Sequence, residues 1–239
     1  MEAFNLKIFR YDPEKDAGPH WDTFRIPYRE GMTVLEALLR VVEHDDPSLA
    51  MRYSCREAIC GSCAMYISGW YRLACKTQVK DALEDGTVTV SPLPHLRVIK
   101  DLVVDMEPFW RNYERIKPYL IEDGPPPERE RLQTPAERAQ YAEMVDCILC
   151  GACYTSCPSG VNNEEYLGPH ALLWAARFYF DSRDAGKDER LNRVANENGI
   201  FRCHTAFNCV ETCPKHLNQT EAIQRLKAEA VKKALALRR

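Results

Sequence analysis

The chain has 239 residues, of which 45% are hydrophobic and 28% are charged, and its formal net charge is −3. This length allows two modest domains or one large one, and the small negative charge gives no electrostatic reason to expect a nucleic-acid partner. The longest strongly apolar run, 171–180, is interrupted by Arg177 and is too short for the roughly 20 residues of a membrane-spanning helix.

The first residues lack the features of a targeting segment. They carry neither the basic and apolar regions of a secretion signal nor the arginine-rich composition of a transit peptide. We therefore expect the chain to stay in a reducing compartment. In such a compartment, clustered cysteines favour metal binding or catalysis over disulfides.

The first hundred residues are predicted to combine strands with one helix. Apolar residues alternate along Phe4–Ile8 and again along Phe24–Tyr28, which predicts a β-hairpin. Thr33 and Glu36 form a capping-box pattern that predicts the start of a helix. Further short strands are predicted at 64–67, 71–73 and 87–90.

The second half of the chain changes to a helical pattern from about Pro135 onward. The segment Glu122–Glu137 is rich in Pro, Glu and Arg and is predicted to be an extended surface connection. Helices are predicted at Pro169–Phe180, Leu191–Asn198 and Gln219–Leu237. We therefore predict an α+β chain, with a β-rich domain at 1–105 and an all-α domain at 106–239.

Eleven cysteines fall into three groups, and the first group has the spacing Cys-x4-Cys-x2-Cys with one more cysteine downstream. Its members are Cys55, Cys60, Cys63 and Cys75. This spacing is typical of a plant-type [2Fe–2S] site. Gly61 and its small neighbours would let backbone N–H groups approach the sulfurs, and such hydrogen bonds tune the reduction potential. The alternative is a structural zinc site, although those sites usually use paired cysteine knuckles.

The second and third groups each end in Cys-Pro. The second is a run spaced x2, x2 and x3, formed by Cys147, Cys150, Cys153 and Cys157. In bacterial ferredoxins the fourth cysteine of this run ligates the other cluster. The third group consists of Cys203, Cys209 and Cys213. Exchanging the last cysteine of each group predicts a [4Fe–4S] cluster held by Cys147, Cys150, Cys153 and Cys213. The remaining site is held by Cys157, Cys203 and Cys209.

This remaining site lacks one thiolate. A second complete run would place a cysteine midway between Cys203 and Cys209, where the chain has Ala206. A cubane corner without its ligand tends to lose its iron, so the ligand count predicts [3Fe–4S]. The alternative is that His204 or water fills the corner and keeps four irons.

Several motifs together resemble one known family. They are Ser54-Cys-Arg-Glu-Ala-Ile-Cys-Gly-Ser-Cys63, Arg72-Leu-Ala-Cys75, the run 147–159 and Arg202-Cys-His204. Over nearly its whole length the chain is similar to the iron–sulfur subunits of succinate dehydrogenase and quinol:fumarate reductase. The resemblance implies an N-terminal β-grasp plant-type ferredoxin domain and an all-α bacterial-type ferredoxin domain.

The resemblance also implies the function and the partners of the chain. It would be the electron-transfer subunit of a multi-subunit succinate dehydrogenase that passes electrons from the FAD of a flavoprotein subunit, through three clusters, to a quinone. It would lie peripherally on the cytoplasmic side of a bacterial membrane, bound to an anchor subunit with or without haem b. Three alternatives stay open: a fumarate reductase subunit working in reverse, a stand-alone polyferredoxin-like carrier, and a structural zinc module.

The quinone end of the relay departs from the family pattern. Members of the family often carry a pair of tryptophans after the first Cys-Pro-Ser, but 159–165 contains none. This difference points to another quinone, such as menaquinone, or to a rearranged pocket. Pro158 and His204, next to cluster cysteines, are the candidates for the quinone vicinity. The alternative for His204 is a histidine that is hydrogen-bonded by the backbone.

Overall fold

The structure, a computed structural model, describes residues 1–125 and 127–236. Two predicted features extend beyond these residues, namely the extended connection at Pro126 and the last helix at Leu237. Within the described ranges, the helices are all too short or too polar to cross a membrane.

The chain divides into two compact units. The first contains Met1–Met106 and Ile148–Ser156, and the second contains Glu107–Cys147 and Cys157–Arg239. The two domains predicted from the sequence assigned 148–156 to the all-α half, whereas the contacts of this segment lie with the first unit. The division into a β-rich ferredoxin domain and an all-α ferredoxin domain stays a prediction.

Five strands form the mixed sheet of the first unit, and together with the helices they make the chain α+β. The strands are β1 (Ala3–Arg10), β2 (His20–Pro27), β3 (Ala64–Ile67), β4 (Trp70–Leu73) and β5 (Thr87–Ser91). Their order is β2-β1-β5-β3-β4, with β1 and β5 parallel and the other pairs antiparallel. The predicted hairpin is confirmed, because Phe4 pairs with Ile26 and Leu6 with Phe24.

Helix α1 (Val34–Arg40) begins at the predicted capping box. The Thr33 hydroxyl accepts a hydrogen bond from the Glu36 N–H (3.2 Å), and the Glu36 carboxylate accepts one from the Thr33 N–H (2.8 Å). Both groups are thereby satisfied at a helix end that would otherwise leave them without partners. A π-helical turn, Val41–Asp45, continues α1. The short helix α2 (Val79–Ala82) and the paired strands β6 (Val98–Lys100) and β7 (Val103–Val104) follow before Met106.

After β7, the regular elements in the described part of the chain are all helices. In order the helices are α3 (Glu107–Arg115), α4 (Pro135–Ala139), α5 (Ala152–Thr155), α6 (Pro158–Val161), α7 (Gly168–Tyr179), α8 (Lys187–Val194), α9 (Asn208–Glu211) and α10 (Gln219–Ala236). Of these, α5 belongs to the first unit. In the second unit α7 packs against α3, α8 and α10, and its fully buried residues Ala171, Leu172 and Ala176 form the centre of the core.

One predicted helix has the wrong bounds. Helix α8 begins at Lys187 and ends at Val194, instead of spanning Leu191–Asn198. The side chain of Asn196 accepts a hydrogen bond from the N–H of Asn198 (3.0 Å), and this local turn competes with continuation of the helix. The start of the helical part near Pro135 is confirmed, because Thr134 caps α4 through a second capping box.

Arg190 in α8 is a fully buried arginine that holds the segment after α3. Its guanidinium forms an ion pair with Asp184 (2.7 Å), and the two side chains are 1% and 0% exposed. It also donates to the carbonyls of Ile116 (2.9 Å), Lys117 (2.5 Å) and Tyr119. The buried charge is therefore both paired and surrounded by acceptors, as a buried cation requires.

Candidate metal centres

The loop that carries the first cysteine group has an unusual backbone. Arg56, Ala58 and Gly61 have φ values of 63°, 60° and 72°, in the left-handed region that residues other than glycine seldom adopt. Residues in this region that alternate with right-handed ones turn successive N–H groups towards a common side, which creates a concavity for negative charge. The backbone turns at Arg56, Ala58 and Gly61 therefore fit a loop that cradles anionic ligands.

The N–H groups of this loop point at cysteine sulfurs. The N–H groups of Ile59 and Cys60 each lie 3.3 Å from Sγ of Cys55. The N–H of Ala58 lies 3.3 Å from Sγ of Cys75, which comes from the residues after β4. Hydrogen bonds of this kind to ligand sulfurs are among the factors that set cluster potentials.

Cys63 completes the group from its buried side. Its thiol is hydrogen-bonded with Cys75, and burial raises the pKa of Cys63 to about 12. At the exposed side, hydrogen bonds from Ser62 and Cys55 lower the pKa of Cys60 to about 6. The structure thus brings all four predicted thiols of this group together. Coordination to a metal would deprotonate each of them, whatever its pKa in the free protein.

Gly61 brings this loop directly against the second cysteine group. A Cβ added to Gly61 would lie 2.8 Å from the carbonyl oxygen of Ile148 and 2.9 Å from both Cα and Cβ of Cys150. Such distances are shorter than carbon contacts allow. Only glycine therefore permits this approach, which joins the loop of the first site to a predicted ligand of the second within the same unit.

The predicted ligands of the second site are divided between the two units. Cys150 and Cys153 belong to the first unit, whereas Cys147 and Cys213 belong to the second. Cys153 and Cys213 are both buried, and Sγ of Cys213 accepts a hydrogen bond from the N–H of Leu217 (3.4 Å). The four-membered ligand set stays a prediction.

The predicted third site, with its ligands Cys157, Cys203 and Cys209, lies entirely within the second unit. Cys157, Cys203 and Cys209 line one small cavity together with Ala206. Burial, reinforced by the neighbouring thiols of Cys157 and Cys203, raises the pKa of Cys209 to about 11. Three of the predicted ligands are therefore brought together, and the position predicted to lack a thiol borders the same cavity.

The backbone around Ala206 repeats that of the second group. Leu149 and Gly151, two and four residues after Cys147, have φ values of 52° and 88°. Thr205 and Phe207, two and four residues after Cys203, have φ values of 60° and 63°. The two loops therefore place left-handed residues at the same two positions after their first cysteine.

The short helices that follow the two loops extend this repeat. Gly151 caps α5 and Phe207 caps α9, and the second residue of each helix is a cysteine, Cys153 in one and Cys209 in the other. Ala206 is therefore three residues after Cys203, just as Cys150 is three residues after Cys147. The loop after Cys203 thus keeps the left-handed turns of the loop after Cys147, but it has Ala206 where the other loop has the thiol of Cys150.

Two candidates for the quinone vicinity border the third site. Pro158 and His204 line the same cavity as the three cysteines and are exposed. Their position fits the predicted role without testing it.

Sequence reasoning missed Thr220, the second residue of α10, whose hydroxyl lies 3.5 Å from Sγ of Cys209. No sequence signal marks it, because it lies outside the cysteine motifs and brings no unusual residue type.

The eleven cysteines, all within the described part of the chain, are thiols and not disulfides. Among the residues described, no group of three or more His, Cys, Asp or Glu side chains has the arrangement expected around a single metal ion.

Comparison with known proteins identifies two family matches. Residues 5–111 match the family described as "2Fe-2S iron-sulfur cluster binding domain", and residues 140–214 match the "4Fe-4S dicluster domain". The first match contains the first cysteine group, and the second contains the other two.

Relatives match the chain along nearly its whole length. It is 48% identical to "Succinate dehydrogenase [ubiquinone] iron-sulfur subunit 1, mitochondrial" of Oryza sativa subsp. japonica, over 93% of this chain and 80% of the relative. It is 42% identical to the "Succinate dehydrogenase iron-sulfur subunit" of Coxiella burnetii, over 94% and 95%. Among solved structures, a chain of the "Mycobacterium smegmatis Sdh1 complex in the apo form" superposes with a TM-score of 0.83 at 28% identity, covering 97% of this chain and 96% of that one.

Proposed function

The chain belongs to the family of succinate dehydrogenase iron–sulfur subunits, and from that membership we propose that it relays electrons through three clusters towards a membrane quinone. The observation that carries the proposal is the three cysteine groups, each set in a loop with left-handed turns. The chain would be the electron-transfer part of a multi-subunit succinate dehydrogenase. Oxidation of succinate would take place at the FAD of a flavoprotein partner.

The two halves of the chain would be ferredoxin-like domains of different types. The mixed sheet with order β2-β1-β5-β3-β4 supports a β-grasp plant-type ferredoxin domain at 1–105. The helices and the repeated cysteine loops support an α-helical bacterial-type ferredoxin domain at 106–239.

In the first site Cys55, Cys60, Cys63 and Cys75 would hold a [2Fe–2S] cluster. The N–H groups directed at Cys55 and Cys75 fit thiolate ligands, because a thiolate is a strong hydrogen-bond acceptor. Bound clusters would supply one-electron chemistry that protein side chains lack. The residues around them would hold the sulfurs, shield the buried side from water and tune the potential.

The second and third sites would differ in their number of irons. Four thiolates, from Cys147, Cys150, Cys153 and Cys213, would hold a [4Fe–4S] cluster. The third site would hold [3Fe–4S] on Cys157, Cys203 and Cys209. The repeat that puts Ala206 at the position of Cys150 supports this difference, because a methyl group cannot ligate iron.

The quinone would bind beside the third site. Pro158 and His204 line the cavity of that site, and the exposed ring of His204 could donate a hydrogen bond to a quinone oxygen. The absence of tryptophan from 159–165 favours menaquinone or an altered pocket. We further propose that an anchor subunit, with or without haem b, holds the chain at the cytoplasmic side of a bacterial membrane.

EPR spectroscopy of the isolated complex, combined with iron and acid-labile sulfide analysis, tests the proposal. We expect one [2Fe–2S], one [4Fe–4S] and one [3Fe–4S] signal, and co-purification with a flavoprotein. Zinc without sulfide would replace the proposal with a structural zinc module. Isolation as a monomer away from flavoprotein and membrane would replace it with a stand-alone carrier. If the complex mainly reduced fumarate with a low-potential quinol, the chain would be assigned to a fumarate reductase, in which electrons flow from the quinol to the flavin.

A further inference from the structure

The first turn of α10 contacts the third site at two atoms of the same cysteine. With its amide nitrogen facing the loop, Gln219 donates to the carbonyl oxygens of Cys209 (3.0 Å) and Leu217 (2.8 Å). The next residue, Thr220, places its hydroxyl oxygen 3.5 Å from Sγ of Cys209. Thus the backbone and the sulfur of Cys209 are both held by the start of one helix.

This contact is shielded from solvent. Gln219, Thr220 and Cys209 are 1%, 3% and 6% exposed, so water does not compete for the sulfur. In such surroundings a hydrogen bond is electrostatically stronger than it would be in water. Thr220 also lies in the first turn of an 18-residue helix, where the helix dipole is positive and favours nearby negative charge.

The direction of the hydrogen bond follows from the chemistry of the ligand. In the free thiol either atom can donate, but a cysteine that binds iron is a thiolate and has no proton to give. The Thr220 hydroxyl is then the donor and Sγ of Cys209 the acceptor. Its strength depends on the negative charge on that sulfur.

We propose that Thr220 positions Cys209 and raises the reduction potential of the third cluster, an inference that rests on the proposed cluster at this site. Reduction adds an electron and places more negative charge on the ligand sulfurs. A hydrogen bond to Sγ therefore stabilises the reduced form more than the oxidised form. The third cluster would in this way be a better electron acceptor than its ligands alone would make it.

The test is a redox titration of the intact complex, monitored by the EPR signal of the third cluster. Thr220→Val keeps the shape of the side chain and removes the hydroxyl. We expect Thr220→Val to lower the reduction potential of the third cluster by about 59 mV, which corresponds to a tenfold change in its one-electron equilibrium. Thr220→Ser keeps the hydroxyl and should titrate close to the wild type. The first cluster in the same sample is the internal reference and should not move.

Each outcome decides between the alternatives. An unchanged potential in the valine variant, with the cluster present, would overturn the role of Thr220. If Thr220→Val and Thr220→Ala both lost the cluster while Thr220→Ser kept it at the wild-type potential, the hydroxyl would only hold the ligand, and tuning would be rejected. A four-iron signal from the third site in the wild type would contradict the proposed cluster type, while the same variants would still test Thr220.

Discussion

Substituting Gly61 by alanine should damage the second site through a position in the first cysteine loop. The added Cβ would lie 2.8 Å from the carbonyl oxygen of Ile148 and 2.9 Å from Cα of Cys150. Ordinary contacts of such atoms are about 3.5–4.0 Å, so one segment must shift by roughly 0.6–1 Å. Both clashing atoms belong to backbone, which cannot move aside as a flexible side chain can.

The energetic cost has two parts. The left-handed φ of 72° costs alanine about 1–2 kcal/mol relative to glycine, and overpacking adds about 1–3 kcal/mol. Gly86 is a matched control, because its φ is +76° and nothing lies within 4 Å of an added Cβ. Gly86→Ala should therefore lose about 1–2 kcal/mol, whereas Gly61→Ala should lose about twice as much or more.

Thermal unfolding of the assembled complex and EPR spectroscopy together measure this difference. At about 2–4 °C per kcal/mol for a chain of this size, Gly86→Ala should lower Tm by about 2–8 °C and leave all cluster signals intact. Gly61→Ala should lower Tm further and weaken the [4Fe–4S] signal, because Cys150 is displaced. Equal losses of Tm in the two variants, with an unchanged [4Fe–4S] signal, would refute the close approach of Gly61 to Cys150.

Three further predictions concern the third site, a buried ion pair and a buried histidine. Ala206→Cys should convert the EPR signal of the proposed [3Fe–4S] cluster towards that of a [4Fe–4S] centre of lower potential, and an unchanged spectrum would contradict the ligand geometry. Asp184→Asn leaves the Arg190 charge buried and should cost about 3–5 kcal/mol in thermal or denaturant unfolding, against less than about 1 kcal/mol for Arg193→Gln in an exposed pair. Burial lowers the pKa of His170 from 6.5 to about 3. The unfolded chain therefore binds an extra proton between these values, and stability is lost as pH falls through that window. His170→Gln should reduce the slope of Tm against pH between 7 and 5, and an unchanged slope would contradict this assignment.

The cysteine spacing predicted more of the candidate sites than of the fold around them. It placed Cys55, Cys60 and Cys63 in one loop, because spacing within a loop is a local property of the chain, and it added Cys75, which follows β4, from the plant-type pattern. It also identified Ala206, since a missing member of a repeat is visible in sequence. The proximity of Thr220 to Cys209 could not be predicted, because it depends on where α10 begins in three dimensions.

The wrong helix end arose where a local side chain decides where the element stops. The helix predicted at Leu191–Asn198 had apolar residues at helical spacing. The actual end at Val194 depends on the turn made by Asn196, which periodicity does not detect. The assignment of Ile148–Ser156 to the first unit is a tertiary property with no sequence signal.

That assignment has a consequence for the modularity of the gene. The segment Ile148–Ser156 meets the N-terminal part of the chain at Gly61 and at Tyr71, whose hydroxyl donates to the carbonyl of Thr155 (3.2 Å). The polypeptide therefore passes between the units three times. A fragment ended at Met106 would lack part of its own unit, and neither unit could be exchanged between genes as one uninterrupted cassette. A recombination event would keep both units intact only if it transferred the whole coding sequence of the chain.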